Sequence, residues 1–369
     1  MSKKQIFPYP KLIVVGMVLL VVHFIPPFVH SQSKVAQIEK LMLSKPLFNG
    51  VILVSERGKV IFQRGYGFAN FEWKIPNTAN TKFKIGSITK QFTAMLILQL
   101  AEAGQIGLND TISEYLPYYR KDTGAQITIH HLLSHTSGLP SLHRKDYPEF
   151  EISLRHNHHN LREGIQKFRS EDLRFEPGTA YHYTNSGYCI LGAIIEKVTG
   201  FRYHEVLRDK ILSPLKMVNT GVDHYQTILP NRASGYFRNE GEIENAASMD
   251  LTVIQAAGDM YSTIEDLYLW DQALYSSRLL SKQFKELMFQ PYLNSYGYGW
   301  RISTKYFGSP LLENEFFTKV IEHSGRVNSF NSLLMRLVEE RHLIIILSNV
   351  HNGVDDSIAY ELVKILHGK

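Results

Sequence analysis

The hydrophobic pattern changes period between the two ends of the chain and its middle. Near the N-terminal end, the β-rich runs 48–55 and 60–67 flank a polar turn, which predicts a β-hairpin. Because the connections between the later strand-like runs are short, we expect mostly antiparallel pairing. These later runs lie at 297–302, 319–323, 329–337 and 342–348.

Helical patterns dominate the middle of the chain. The run 92–100 is apolar and lacks Gly and Pro, and the apolar run 188–198 is followed by Gly200 as a helix C-cap. Both runs predict buried helices. Shorter helical patterns lie at 33–44, 111–116, 129–133, 263–274 and 356–366.

Strands from both ends and helices from the middle predict an α+β fold, an α/β sandwich. Its mostly antiparallel sheet is flanked by helices, and an all-helical domain is inserted into it. We place the α/β part at about 32–105 and 246–369, and the helical insert at about 106–245. A cleft at the junction of the two parts is the natural place for a binding site.

The first residues have the pattern of an export signal. Lys3, Lys4 and Lys11 precede an apolar run at 12–25, which is short for a membrane span and suits a signal-peptide core. We predict a signal peptide at 1–31, and an uncleaved N-terminal anchor is the alternative. Either reading places the rest of the chain outside the cytoplasm, in the periplasm or the extracellular space, and leaves membrane association through the N-terminus open.

Composition narrows the class of protein. Apolar residues make up 44% and charged residues 20% of the 369 positions, which is ordinary for a soluble enzyme. The net charge of +5 comes without a long Lys/Arg block, so a nucleic-acid partner is not expected. The single cysteine, Cys189, excludes an internal disulfide and is expected to be buried. We predict no cofactor and no metal, since the His-rich stretch 155–160 lacks acidic ligands at suitable spacing.

Ser87 and Lys90 are the first candidates for chemistry. They are three residues apart at the start of the helix predicted over 92–100, so their side chains share one face. A desolvated lysine can take the proton of a serine hydroxyl and make it a nucleophile. The alternative is a helix N-cap serine beside a solvated lysine.

Two further segments carry polar groups that suit such a site. Tyr183 and Asn185 lie on a turn before a buried helix. A tyrosine between cations can lose its proton well below a pKa of about 10 and act as a base, and the Asn185 amide can orient Lys90. The alternative is a packed tyrosine beside a capping asparagine.

The third segment is His323-Ser324-Gly325-Arg326, at the end of a predicted strand. Gly325 would let a substrate backbone lie against the strand, and the N–H of Arg326 could join that of Ser87 in an oxyanion hole. His323 would lie close to Tyr183 as a proton relay or electrostatic partner. A strand-end turn with a surface histidine is the alternative.

These segments and their long contexts resemble the serine β-lactamase and penicillin-binding protein superfamily. The similar branch holds class C β-lactamases, D-alanyl-D-alanine carboxypeptidases, D-aminopeptidases and family VIII esterases. The resemblance covers nearly all of 32–369, as one serine hydrolase domain of the β-lactamase/transpeptidase-like fold. The matching segments are 81–93, 129–140, 175–188, 257–263 and 323–325.

The resemblance implies roles for these residues. Ser87 would be the acylated nucleophile, Lys90 and Tyr183 would share the general-base work, and Asn185 would position substrate. His323-Ser324-Gly325 fills the slot where class C β-lactamases carry Lys-Thr-Gly, which favours a peptidase over an efficient β-lactamase.

Several residues outside this site are expected to have structural roles. His135 would be structural, as would His130 and His131. Asp259 and Asp266 are expected to cap or orient the helix that begins near Thr263.

We therefore expect an exported serine hydrolase that forms an acyl-enzyme through Ser87. Its substrate is expected to be a D-amino-acid peptide of the peptidoglycan type. A β-lactamase or small-ester esterase with the same machinery is the first alternative. A catalytically idle penicillin-binding or wall-sensing module is the alternative from another class, and the presence of Ser87, Lys90 and Tyr183 together argues against it.

Overall fold

The computed structural model describes Met1 and residues 27–141, 161–170, 172–224, 226–307, 316–351, 353 and 356–368. Most of the predicted export signal and the His-rich stretch 155–160 lie outside these residues. Within the described part of the chain, none of the helices combines the length and apolarity needed to cross a membrane.

Thirteen strands occur among the described residues, six of them in one central sheet. The strands are β1 (Gly50–Glu56), β2 (Lys59–Tyr66), β3 (Phe68–Asn70), β4 (Ile75–Pro76), β5 (Phe83–Lys84), β6 (Gly221–Val222), β7 (Tyr236–Asn239), β8 (Glu242–Asn245), β9 (Met260–Ser262), β10 (Arg301–Phe307), β11 (Phe316–Val327), β12 (Phe330–Leu337) and β13 (His342–Ser348).

Twelve α-helices surround the strands in the described ranges. They are α1 (Pro27–Leu43), α2 (Thr89–Glu102), α3 (Ile112–Tyr115), α4 (Lys121–Gly124), α5 (Ile129–Leu133), α6 (Leu161–Phe168), α7 (Asn185–Thr199), α8 (Tyr203–Leu207), α9 (Ser213–Leu215), α10 (Ile264–Leu274), α11 (Lys282–Met288) and α12 (Asp356–Leu366).

The central sheet is antiparallel throughout and joins the two ends of the chain. Its order is β10-β11-β12-β13-β1-β2. Strand β1 pairs with β13 from Gly50↔Ser348 to Ser55↔Leu343, and the predicted hairpin β1–β2 is present. Both β1 and β13 are almost wholly buried, because helices cover the two faces of the sheet.

Two apolar clusters fill the space between sheet and helices. On one face, α1 and α12 pack through residues such as Ile38 and Leu362. On the other face a larger cluster joins α2, α7 and α10 to the sheet, and it includes Trp270 and Trp300 as well as the buried thiol of Cys189. The mixed α+β architecture with its antiparallel sheet is therefore confirmed.

The region expected to be all-helical also carries strands. It contains β6 and the hairpin β7–β8, which turns at Glu240 and Gly241. Both turn residues have positive φ, at 49° and 94°, as a type I′ hairpin turn requires. The charged residues of this hairpin hide its period-2 pattern. The run predicted as a strand over 297–302 also differs, since Gly297 to Gly299 form a turn and β10 begins at Arg301.

Candidate active site

Ser87 lies on a 3₁₀ turn, Gly86–Ile88, that leads directly into α2. Gly86 has a φ of +52°, and a Cβ there would lie 2.9 Å from the backbone N of Arg326. The Ser332 hydroxyl of β12 donates to the carbonyl of Ile85 at 2.8 Å. The turn is thus fixed against β11 and β12, with Ser87 half-buried beside the end of β11.

Lys90 is fully buried on the first turn of α2. Its Nζ lies 3.0 Å from Ser87 Oγ, 2.7 Å from Asn185 Oδ1 and 2.8 Å from the carbonyl oxygen of Ala257. The structure therefore brings together Ser87 from the 3₁₀ turn, Lys90 from α2 and Asn185 from α7. An ammonium group would donate to all three oxygens.

Burial lowers the pKa of Lys90 to about 7, although Cys189 and Asp259 act in the opposite direction. A neutral amine has two N–H groups and one lone pair. Since Asn185 Oδ1 and the Ala257 carbonyl can only accept, the two N–H groups donate to them. The lone pair is then left facing the Ser87 hydroxyl, which is the arrangement a general base needs.

A turn at 256–259 supplies the carbonyl that Lys90 contacts. Asp259 is fully buried and accepts from the backbone N of Ala256 at 3.0 Å, while Thr93 donates to the carbonyl of Ala256. Burial raises the pKa of Asp259 to about 7. Asp259 was expected to cap or orient the helix near Thr263; its carboxylate instead orders this turn, and Thr263 caps that helix itself.

Asp266, in contrast, orients the helix as expected. Its Oδ2 accepts from the backbone N of Asn219 and from the Thr220 hydroxyl, so it ties α10 to the segment before β6.

Tyr183 is half-buried beside Ser87 and Lys90, with its hydroxyl oxygen enclosed. Lys90 Nζ lies 4.9 Å from the centre of its ring. Burial raises the pKa of Tyr183, and the Ser87 hydroxyl and the charge of Arg301 offset only part of this. The expectation of a tyrosine with a lowered pKa is therefore wrong for this structure. Cations lower a phenol's pKa only when their field exceeds the desolvation cost, and here Lys90 is itself easily neutralised.

His135 accepts hydrogen bonds from the backbone of the residues immediately before and after Tyr183. The N–H of His182 donates to the His135 carbonyl at 2.8 Å, and the N–H of Thr184 donates to His135 Nδ1 at 3.3 Å. The rings of His135 and Tyr183 lie 4.3 Å apart between centroids. Burial, with the charge of Lys90, lowers the pKa of His135 well below its usual value. It is therefore neutral, with its proton on Nε2.

The ring of His323 also lies close to Tyr183, at 6.1 Å between ring centroids. Its Nδ1–H donates to the Ser324 carbonyl at 2.6 Å, and Tyr296 Oη donates to Nε2 at 2.9 Å. Burial lowers the pKa of His323 to about 3. The residue is near Tyr183 as expected, but it is neutral, so it offers no charge at this position.

The remaining three residues of the third segment, Ser324, Gly325 and Arg326, have different surroundings. Gly325 packs against the turn before Ser87, since a Cβ there would lie 2.0 Å from the Ile85 carbonyl oxygen. Ser324 and Arg326 are exposed on the other face of β11. The structure therefore explains Gly325 by the close packing of β11 on the turn before Ser87. The sequence had instead suggested that this glycine makes room for a substrate backbone.

Among the described residues, one edge of strand β11 beside Ser87 has no strand partner. Strand β10 pairs with β11 from Phe307↔Phe316 only as far as Arg301↔Glu322. On this side, His323–Val327 extends beyond its neighbour, whereas on the other side it pairs with β12 up to Val327↔Phe330. An extended peptide can add to such an edge through main-chain hydrogen bonds.

Sequence reasoning missed several residues that shape the site. Ala257 acts through its carbonyl, which no side-chain pattern can reveal. His135 and Tyr296 are distant in sequence from Tyr183, and their ring contacts with it arise from tertiary packing. The only signal for His135 was its place in a loop segment that resembles a family motif.

Comparisons with known proteins identify the family of this chain. A family model described as Beta-lactamase matches residues 37–367. Penicillin-binding protein 4* of Bacillus subtilis (strain 168) is 31% identical over 327 residues, which cover 83% of this chain and 69% of that protein. Protein flp of Staphylococcus aureus (strain MRSA252) is 28% identical over 335 residues, covering 87% of this chain and 64% of that protein.

Solved structures show the same fold. The octameric penicillin-binding protein homologue from Pyrococcus abyssi has a TM-score of 0.76 at 28% identity, covering 91% of this chain and 78% of that one. D-amino acid amidase from Ochrobactrum anthropi SV3 has a TM-score of 0.74 at 24% identity, covering 92% and 99%, and at that identity it shows the fold alone. The chain therefore belongs to the Beta-lactamase family of serine hydrolases.

Proposed function

We propose that this protein is an exported serine hydrolase that cleaves an amide bond of a D-amino-acid peptide through an acyl-enzyme on Ser87. One observation carries the proposal: Lys90 is fully buried, with its Nζ 3.0 Å from Ser87 Oγ. Burial lowers its pKa to about 7. A lysine that is neutral near physiological pH and faces a hydroxyl is a general base next to its nucleophile.

Acylation follows from this arrangement. Ser87 Oγ attacks the carbonyl carbon as its proton passes to the lone pair of Lys90. The carbon–nitrogen bond then breaks. The leaving nitrogen takes a proton from the neutral Tyr183 phenol, and the Lys90 ammonium returns one to the phenolate. The net change moves the serine proton to the amine and leaves an ester on Ser87.

Deacylation uses the same groups. Water attacks the ester carbon while neutral Lys90 accepts its proton, and that proton returns to Ser87 Oγ as the acid leaves. In both steps, we assign the N–H groups of Ser87 and Arg326 to the negative charge on the carbonyl oxygen. The close packing of Gly86 on the backbone of Arg326 supports this pairing.

The peptide class is supported by the edge at His323–Val327, which lacks a strand partner on one side within the described part of the chain and offers main-chain hydrogen-bonding groups to an extended substrate. Neutral His323 gives a β-lactam carboxylate no cation at that slot, so a peptide is favoured over rapid β-lactam turnover. The names of the similar penicillin-binding proteins point the same way. Export is supported by the basic and apolar pattern at 3–25.

A fluorescent penicillin tests the nucleophile and the acyl-enzyme together. We expect covalent label on Ser87, found by peptide mapping, that is released slowly. The Ser87→Ala variant is expected to lose the label, whereas the matched control Ser276→Ala, outside the site, keeps it. Full activity of Ser87→Ala would exclude this nucleophile. If the protein is not labelled and also hydrolyses neither p-nitrophenyl esters nor D-Ala-D-Ala peptides, the proposed hydrolase activity is excluded.

A further inference from the structure

A cavity of about 530 Å³ lies near the proposed site, and its lining includes Lys84, three residues before Ser87, and Asn328, just after β11. Its lining combines charged, polar and apolar groups from segments that are distant in sequence. Those used below are Lys84, Asp223, Arg232, Met249, Asn328 and Phe330. Nothing in the proposed acyl-transfer chemistry uses this cavity.

Two cations share one buried carboxylate at this cavity. Lys84 Nζ lies 3.1 Å from Asp223 Oδ2, and Arg232 Nη1 lies 2.9 Å from Asp223 Oδ1. The Asp223 side chain is only 3% exposed, and the Lys84 side chain 13%. Together, Lys84, Arg232 and Asp223 carry a net charge of one positive unit, and these three residues are called the cluster below. Because an ammonium has three N–H donors and a guanidinium has five, both cations keep donors beyond those that Asp223 occupies.

The cluster has a fixed position relative to Ser87. Lys84 ends β5, three residues before Ser87, and Asn328 begins the turn immediately after β11. The N–H of Asp223 donates to the carbonyl of Asp259, whose carboxylate orders the turn that contacts Lys90. The cavity is therefore built on the same segments as the proposed site.

The strand geometry gives the distance along a bound peptide. The packing of Gly86 on Arg326 places Ser87 level with the Gly325–Arg326 step of β11. Asn328 is two residues further on, which is about 7 Å along an extended strand. A peptide that adds to this edge in the antiparallel sense of the sheet runs from Asn328 towards His323. The N-terminal side of its scissile bond then lies towards the cavity.

We propose that this cavity binds a side-chain carboxylate located two residues to the N-terminal side of the residue whose carbonyl Ser87 attacks. Lys84 and Arg232 bind the carboxylate, and the apolar wall of Phe330 and Met249 packs against the chain that carries it. This inference rests on the proposed function and narrows its substrate to peptides with an acidic residue at that place.

Two isosteric product peptides, acetyl-Glu-Gly-D-Ala and acetyl-Gln-Gly-D-Ala, test the cavity without needing turnover. They differ only in a carboxylate against an amide. Calorimetry with the full-length wild-type protein is expected to show about tenfold tighter binding of the Glu peptide, as a charge-assisted hydrogen bond provides. Raising NaCl from about 0.05 to about 0.5 M is expected to reduce that preference.

Variants identify the residues responsible. Lys84→Met and Arg232→Gln are each expected to remove the preference for the Glu peptide, whereas Lys282→Met, on the exposed face of α11, is expected to keep it. Hydrolysis of p-nitrophenyl acetate, which has no such side chain, reports whether each variant is folded and active. Arg232 is 29% exposed, so its replacement disturbs the fold less than that of Lys84.

The outcomes separate this inference from the proposed function. Equal affinity of the two peptides, or binding of neither, overturns the carboxylate site even where p-nitrophenyl acetate is hydrolysed through Ser87. A preference for Glu that survives both variants also overturns it. A preference that depends on Lys84 and Arg232 in a protein with no Ser87 chemistry supports the cavity and rejects the proposed hydrolase.

Discussion

At the scale of single residues, the protonation state of Lys90 decides what Ser87 can do. Two of its three polar partners, Asn185 Oδ1 and the Ala257 carbonyl, only accept hydrogen bonds. They orient the amine in either state, but only the neutral amine has a lone pair for the Ser87 proton. Since Asp259 also has a pKa near 7, two coupled groups titrate in the same range.

We predict that kcat/KM for p-nitrophenyl acetate rises about tenfold per pH unit up to about pH 7 and then levels off. Below pH 7 the ammonium form of Lys90 predominates and cannot accept a proton, whereas above pH 7 the neutral amine can. The measurement is the pH profile of initial rates in the wild-type protein and in Asp259→Asn.

The variant assigns the titration to one group. Because the Asp259 carboxylate stabilises the Lys90 ammonium, its removal should move the inflection to lower pH and leave the slope in place. An inflection near pH 10, or one that vanishes in Asp259→Asn, would contradict the assignment to Lys90.

Residue spacing in the sequence was enough to bring Ser87 and Lys90 together, but the expectation of cations around Tyr183 gave the wrong direction for its pKa. The spacing of two side chains on a helix is local. Desolvation of Tyr183 is a tertiary effect, since rings from distant segments, such as His135 and Tyr296, enclose it. The neutral state of His323 follows from the same burial and was equally invisible in the sequence.

At the scale of elements, the loop that follows α5 fixes the segment that carries Tyr183. His135 has a φ of +59°, which turns its ring towards Tyr183. Its carbonyl and Nδ1 accept from the residues before and after Tyr183, so the phenol is held at two neighbouring backbone points. We infer that His135 is a positioning residue for Tyr183, beyond the general structural role expected from the sequence.

We predict that His135→Asn lowers kcat for D-Ala-D-Ala peptides by about 10- to 100-fold with little change in KM. Asparagine tolerates the positive φ, so the backbone is kept while the ring that packs on Tyr183 is lost. The discriminating measurement is kcat of the same variant with p-nitrophenyl acetate as substrate. That leaving group needs no proton from Tyr183, so its kcat should fall much less.

A second histidine of the same region serves as the control. His130→Gln changes a histidine of the same region whose ring contacts Tyr298 and Tyr292 instead, and it should affect both substrates alike. An equal loss on amide and ester in His135→Asn would reduce His135 to a structural residue.

The contact between β11 and the turn that carries Ser87 explains why residue 325 is a glycine. The motif identified the position, and the structure explains the residue type by the Ile85 carbonyl and the Ser332 hydroxyl, which lie 2.0 Å and 2.4 Å from a Cβ built there. The strand and the Ser87 turn therefore approach each other more closely than any side chain allows. A sequence cannot show this, because the partner segment is more than two hundred residues away.

At the scale of the whole molecule, the antiparallel sheet made from both chain ends was predictable, since strand and helix periods are visible in each segment. Strand order was not predicted, and neither was the hairpin β7–β8, whose charged surface residues lack alternation. Nor could the sequence show what joins the helix layer to the sheet. That junction includes a buried ion pair between Asp271 of α10 and Arg336 of β12, each 2% exposed, with Arg336 Nε donating to Asp271 Oδ1 at 2.6 Å.

We predict that Asp271→Ala lowers the free energy of unfolding by about 3–5 kcal/mol, because it leaves the Arg336 guanidinium buried without its carboxylate. The double variant Asp271→Leu with Arg336→Met should cost much less, since apolar groups of similar volume remove both charges together. Urea unfolding followed by circular dichroism measures both, and Lys282→Ala, in an exposed pair with Glu286, should change stability by less than about 1 kcal/mol. A double variant as unstable as Asp271→Ala would show that packing of these side chains, and not the uncompensated charge, determines how firmly α10 is held on the sheet.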